Sequence, residues 1–304
     1  MSGVFRLGVS SSAFVRTMPP EIVQAMQSNV REGVPRKLDS RLNRMMVDFT
    51  RGMMQAINAS DIATLECYHS TIWDCDDVLE PILDNPNVEF WSVHAPYGRM
   101  ADPSSPDVDI RAAAKNAYCA GVDAAEKLGA GRIVAHPGAN RAYDVPKQLR
   151  MGYTADIITE VADYAGERGI KVAVEPLPKQ EVGNSLEEVF WILDKVDRPN
   201  VGINFDVNHL FPASAVPELI TKAGDRIFSV HISDQDDNER HWLPFEGKLD
   251  WQAVLSALHN TGYQGPLIYE THVPDVTTCE EAAAKVVENY GRLIQLAPAE
   301  MSVC

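Results

Sequence analysis

Glu175, Asp206, His231 and Glu270 are the residues of this 304-residue chain whose types and positions could do chemistry together. Each stands at the end of a short apolar run: Val174-Glu175-Pro176, Phe205-Asp206-Val207-Asn208-His209, Val230-His231-Ile232-Ser233-Asp234 and Tyr269-Glu270-Thr271. A carboxylate directly after buried apolar residues is costly unless a cation or a strong donor satisfies it. Three carboxylates and one imidazole make a hard, oxygen-rich donor set. It suits one divalent metal ion, Mn2+ first, with Mg2+ or Co2+ as alternatives and Zn2+ less favoured.

Elements that could bring those residues together follow from the patterning. Short apolar runs predict strands at 5–9, 62–67, 88–93, 132–135, 171–174, 201–205, 227–230 and 267–269, with a helix expected after each. The stretch 108–128 reads as helical and is stopped by Gly129 and Gly131. Further helices are expected at 77–83, at 148–168 and after the capping residues Ser185, Asp250 and Thr278. Residues 20–59 read as helical with a break near 33–35, and Leu38, Leu42, Met45, Met46, Phe49 and Met53 recur at spacings of three and four. That stripe is either core or an interface, and a homo-oligomer built on the 45–54 surface is one expectation.

Strands this apolar, alternating with helices, imply a parallel sheet covered by helices. Eight such units over this length fit a single α/β domain spanning 1–304, a closed (β/α)8 TIM barrel. An open doubly wound sheet is the alternative, but no Gly-x-Gly-x-x-Gly follows the first strand.

Composition narrows the function. A formal net charge of −16 disfavours nucleic acid and anionic membranes as partners. The N-terminus has no signal-peptide pattern, and no apolar run is long enough to span a bilayer. The 5 scattered cysteines, without a Cys-x-x-Cys pair, suit a reduced cytoplasmic setting.

In a parallel barrel the C-terminal strand ends open on one face, where active sites are built. His69, His94, His136, His209, Asp234, His241 and His272 fall at or beyond those ends, whereas His259 falls in a helix and reads as structural. His69 and His272 read more naturally as framework residues than as ligands. Trp73, Tyr97, Phe211 and Trp242 fall on the same loops and either pack on a ligand ring or simply fill the barrel mouth.

The strand ends quoted above resemble the xylose-isomerase-like TIM-barrel superfamily. Val93-His94-Ala95-Pro96-Tyr97, Ala135-His136-Pro137-Gly138 and the run from His241 through Glu246-Gly247-Lys248-Leu249-Asp250-Trp251 add to the likeness. It implies a sugar isomerase or epimerase, a dehydratase or C-glycoside lyase, or an apurinic-site nuclease of the endonuclease IV type. By likeness to the ketose 3-epimerases, Glu175, Asp206, His231 and Glu270 would bind one divalent ion. Glu175 and Glu270 would also serve as proton acceptor and donor, forming an enediolate next to a carbonyl. His209 and Arg240 would hold substrate oxygens, with His94 and His136 lining the same site and His136 as an alternative base.

By likeness to endonuclease IV, the set His94, His136, Glu175, Asp206, His209, His231, His241 and Glu270 would hold three zinc ions. This chain departs from that pattern with Glu239-Arg240-His241 in place of Asp-x-His. The acidic charge and the scattered Arg99, Arg141, Lys179, Arg240 and Lys248 make no basic track for a phosphate backbone. No dedicated anion site is legible either, so a free sugar, cyclic polyol or glycoside is preferred to a sugar phosphate. A non-enzymatic scaffold would be favoured by an apolar residue at one of the four ligand positions, and none is apolar.

Overall fold

The computed structural model describes residues 5–25, 39–68, 81–82, 87–178 and 182–298. His69, Trp73, Cys75, Lys179, Cys304, the break expected near 33–35 and nearly all of the helix expected at 77–83 lie outside the described residues.

Eight parallel strands close on themselves: β1 (Leu7–Ser10), β2 (Thr64–Tyr68), β3 (Glu89–His94), β4 (Arg132–Ala135), β5 (Lys171–Val174), β6 (Val201–Asp206), β7 (Ile227–Ile232) and β8 (Leu267–Tyr269). Closure is completed by β1 pairing with β8, which sets Val9 beside Tyr269. The expected barrel is therefore what this chain forms, with each strand within two residues of its expected bounds.

The outer helices are α1 (Ser40–Asn58), α2 (Val108–Leu128), α3 (Lys147–Gly166), α4 (Leu186–Val196), α5 (Val216–Ala223), α6 (Trp251–Asn260) and α7 (Cys279–Leu293). Their ends follow the expected capping chemistry. Ser185 Oγ accepts from the Glu188 amide, and Thr278 with Glu281 closes a full capping box. Directly after β1 the chain forms a short 3-10 helix, Ser11–Thr17, whose first turn is capped by Ser10 Oγ accepting from the Ser12 amide.

The methionine stripe is core. Met46, Met53 and Met54 are buried, Met46 against Ile22 and the other two within the barrel's main core. These three side chains therefore pack within their own chain, the core alternative of the sequence reading, while Met45 is half-buried.

One carboxylate organises the loop after β7. Asp234, fully buried, accepts from the amides of Gln235, Phe245 and Leu249 at 2.9, 2.8 and 3.1 Å and from Trp251 Nε1 at 2.9 Å. Gly247 is required there, since a Cβ would collide with the Asp234 carboxylate and the Gln235 backbone. The Gly-Lys-Leu-Asp-Trp run thus has a structural cause. Its partners fold back onto Asp234 and fix the segment that ends in Glu239 and His241. Asp234→Ala is expected to destabilise the protein by at least about 3 kcal/mol, because three buried donors and one half-buried donor lose their acceptor; an unchanged urea midpoint would contradict this.

Candidate metal centre and active site

The C-terminal strand ends bring Glu175, Asp206, His231 and Glu270 into one buried cluster. One potential ligand atom from each lies within 4.8 Å of the others. His231 sits in the middle, its Nδ1 2.8 Å from Glu175 Oε1, 2.8 Å from Glu270 Oε2 and 3.8 Å from Asp206 Oδ2. Asp206 ends β6 and His231 pairs with it on β7, whereas Glu175 and Glu270 follow directly on β5 and β8. Period-two alternation turns these side chains inward, away from the helices.

The electrostatics are those of a site short of positive charge. Burial alone would raise Glu175, but the charge of His231 and hydrogen bonds from His136, His231 and His94 hold it well below the usual carboxylate range. Glu270 behaves likewise: burial is overridden by His231. Asp206 is pushed up, by burial first, with the nearby Glu175 and Glu270 charges opposing its ionisation and His209 favouring it. Burial should lower His231, yet Glu66, Glu270 and Glu175 hold it well above its ordinary value. His231 is thus held as an imidazolium among several buried carboxylates.

Among the buried oxygens, Asp206 Oδ2 accepts no hydrogen bond, and Glu270 Oε2 has only its ion-pair contact with His231 Nδ1 at 2.8 Å. Under-satisfied carboxylate oxygens facing the same imidazole nitrogen are what a divalent cation would satisfy. The residues present therefore fit a metal ion, which would displace the His231 proton on binding.

Around this cluster the side chains divide by role. His136 Nε2–H donates to Glu175 Oε2 at 2.9 Å, and Asn204 Nδ2 donates to Glu175 Oε1 at 2.9 Å. Tyr68 donates to Glu270 Oε1 at 2.6 Å. His209 Nδ1–H donates to the Pro176 carbonyl at 2.9 Å, which turns Nε2 towards Glu239 at 3.9 Å. Above them a chamber of about 600 Å³ opens, with Tyr97, His136, Glu175, His209, Glu239 and Glu270 in its wall.

Two expected contacts are not found in the expected places. Arg240 points away from the chamber: its guanidinium pairs with Asp236 at 2.8 and 3.0 Å and lies over Trp242. Only its amide is used inward, donating to Asn208 Oδ1 at 3.0 Å. His94 is fully buried behind Glu175, with Nδ1–H on the Ala95 carbonyl at 3.0 Å and Nε2 3.4 Å from Glu175. Its contact is with the carboxylate and not with the chamber. His272 donates its amide to the His241 carbonyl at 2.6 Å and is exposed, in keeping with a framework role.

Other residues emerge that the strand-end pattern did not single out. Glu66, fully buried inside β2, lies 3.0 Å from His231 Nε2 and accepts from Ser92 at 2.6 Å. A lone acid in the apolar run Leu65-Glu66-Cys67 is a signal of the same kind as Glu175. Glu239 is brought beside His209 and His241, and these three form another potential ligand cluster, as do His94, His136 and Glu175. His241 takes a left-handed backbone (φ 55°) that a histidine seldom adopts, held by its amide on Asn208 Oδ1 at 3.4 Å and Nδ1–H on the Glu270 carbonyl at 3.1 Å. Burial would lower His241, but the hydrogen bond to Glu239 and the Glu270 charge raise it to about 10.

Fold and sequence together place the chain: it belongs to the xylose isomerase-like TIM barrel family, whose pattern matches residues 55–295. Among curated relatives, an inosose isomerase of Bacillus subtilis (strain 168) is 30% identical over 174 residues, covering 53% of this chain and 62% of the relative. An L-ribulose 3-epimerase of Methylomonas sp. (strain DH-1) is 29% identical over 119 residues, 38% of this chain and 40% of the relative. This chain thus matches less than two thirds of the length of either. Among solved structures, a D-tagatose 3-epimerase-like protein superposes with a TM-score of 0.72 at 21% identity, covering 98% of this chain and 100% of that one. The IOLI protein with a bound zinc atom gives 0.72 at 17% identity, over 97% and 99%. At such identities these structures establish the shared fold.

Proposed function

We propose that this protein is a divalent-metal-dependent isomerase or epimerase of sugars or cyclic polyols, acting by proton transfer next to a carbonyl. The observation that supports it most is the pair of buried carboxylates, Glu175 and Glu270, each 2.8 Å from the same His231 nitrogen and both open to the chamber. The relatives named as an inosose isomerase, an L-ribulose 3-epimerase and a fructoselysine 3-epimerase act on compounds of that class.

Glu175, Asp206, His231 and Glu270 would hold the ion, and the oxygen-rich set favours Mn2+, Mg2+ or Co2+, with Zn2+ also accepted. When bound, the ion supplies Lewis acidity towards a carbonyl oxygen. Within this chain, Glu175 and Glu270 remove and return the carbon-bound proton from two sides of the chamber. Tyr68 holds Glu270 in place through its 2.6 Å hydrogen bond, and His136 and Asn204 hold Glu175. His209, fixed by Pro176, is free at Nε2 to receive a substrate hydroxyl.

Incubating the Mn2+-loaded protein in deuterated water with a panel of keto-sugars and inososes tests the proton transfer. Deuterium is expected on the carbon beside the carbonyl of whichever compound is converted. Product formed without label would rule the mechanism out.

A second reading has a specific observation behind it. The clusters His94–His136–Glu175 and His209–Glu239–His241 flank the first and could hold further ions, as a phosphodiester hydrolase with three zincs requires. The mouth disfavours it, because Arg240 is paired with Asp236 and Lys248 with Asp237 at 2.7 Å, so neither is available to a phosphate backbone. A lyase acting on a polyol or C-glycoside would use the same first steps and is separated from an isomerase by its product. No described helix is long and apolar enough to cross a membrane, and Cys67, Cys119 and Cys279 are free thiols, which suits a cytoplasmic placement.

A further inference from the structure

A second cavity, of about 340 Å³, adjoins the chamber and differs from it in character. The two share Tyr68, Tyr97, Glu239, His241 and Glu270 in their walls. Beyond Glu270 the second cavity runs outward between the short 3-10 helix Ser11–Thr17 and α1. Val15, Met18, Met46, Phe49, Met53 and Ile82 line it there.

A free sugar does not call for such a space. The chamber alone is of the size that holds a small-molecule ligand, and its wall of His136, Glu175, His209 and Glu239 offers the hydrogen bonds that hydroxyls need. Among the described residues, the outer part of the adjoining cavity offers thioethers, a phenyl ring and aliphatic branches, with the hydroxyls of Ser11, Ser12 and Thr50 at its sides, and the apolar groups gain by shedding water onto an apolar substituent. Methionines adapt their shape to an aromatic ring and make favourable sulfur contacts with it, and Phe49 and Tyr68 add aromatic carbon to the same wall.

We infer that the substrate is a polyhydroxy carbonyl compound bearing an aromatic substituent, with the sugar-like part in the chamber and the aryl group in the cavity lined by Met18, Phe49 and Met53. The inference rests on the proposed carbonyl chemistry at Glu175 and Glu270 and specifies what is attached to the reacting molecule. Continuity of the two spaces past Glu270 gives the direction: the substituent leaves the sugar on the side facing Tyr68.

Calorimetric titration of the Mn2+-loaded protein with D-fructose and with 6-O-phenyl-D-fructose tests it, since the two probes differ only in the ring. The phenyl ether is expected to bind at least about tenfold more tightly, burial of one ring being ample for that factor. Val15→Trp, which narrows the cavity and touches none of the proposed ligands, is expected to remove most of that advantage while leaving D-fructose binding and metal content unchanged. Equal binding of the two probes to the wild-type protein, or no binding of either, would overturn the inference whether or not the variant folds. Retained metal and deuterium wash-in on an unsubstituted keto-sugar alongside that result would show that the carbonyl chemistry stands and only the aryl preference has failed.

Discussion

Glu270→Gln is expected to lower kcat by about 10³-fold or more, with the fold intact. General acid–base catalysis by a positioned carboxylate contributes on the order of 10²–10⁴-fold, and Glu270 is also one of the proposed metal ligands. The amide keeps an oxygen that can accept from Tyr68, so the hydrogen bond now measured at 2.6 Å survives. What is lost is the proton acceptor or donor and one negative charge. Metal content measured on the same sample separates those two losses: an inactive variant that still holds its ion has lost proton transfer alone. Turnover within tenfold of wild type would remove Glu270 from the mechanism.

Metal removal is the second large effect. Stripping with EDTA is expected to lower activity by at least about 100-fold and the melting temperature by several degrees, both restored by added Mn2+. The stability change follows from linkage: an ion present at about 1,000 times its Kd adds roughly 4 kcal/mol to the folded state. In the stripped protein Asp206 keeps a buried oxygen without a hydrogen bond, Glu270 Oε2 has only the His231 imidazole beside it, and the carboxylates repel one another around that ring. An Asp206→Asn variant is expected to show a smaller response to EDTA. A melting temperature and activity indifferent to chelation would contradict a resident metal ion.

Much of the barrel is legible in the sequence because its strands are short, apolar and closed by polar residues. Those closing residues, Glu175, Asp206, His231 and Glu270, are brought together because parallel strands all end on one face. Glu66 and Asn204 are not marked by that pattern for the complementary reason: both lie inside their strands, at inward positions deeper in the barrel.

The loop after β7 is harder to read. That Glu239 and His241 lean over the chamber depends on Asp234 gathering the three distant donors of Phe245, Leu249 and Trp251, and on Asn208 capping two amides more than thirty residues away, next to a left-handed histidine. Arg240, between them, is expected from sequence to reach substrate, but Asp236 four residues earlier holds its guanidinium in the solvent rim. The methionine stripe of α1 is legible as a buried face, while what covers it is not: only the folded chain shows Met46 packed on Ile22.

Counting the ions bound per chain after loading with Mn2+ and desalting tests the central claim most directly, because it needs no knowledge of the substrate. One ion per wild-type chain is expected, falling to less than about a tenth of that in a chain carrying both Asp206→Asn and Glu270→Gln. No ion in the wild-type protein, or one that persists in the double variant, would contradict a metal centre built on Glu175, Asp206, His231 and Glu270; three ions per chain would instead favour the hydrolytic site.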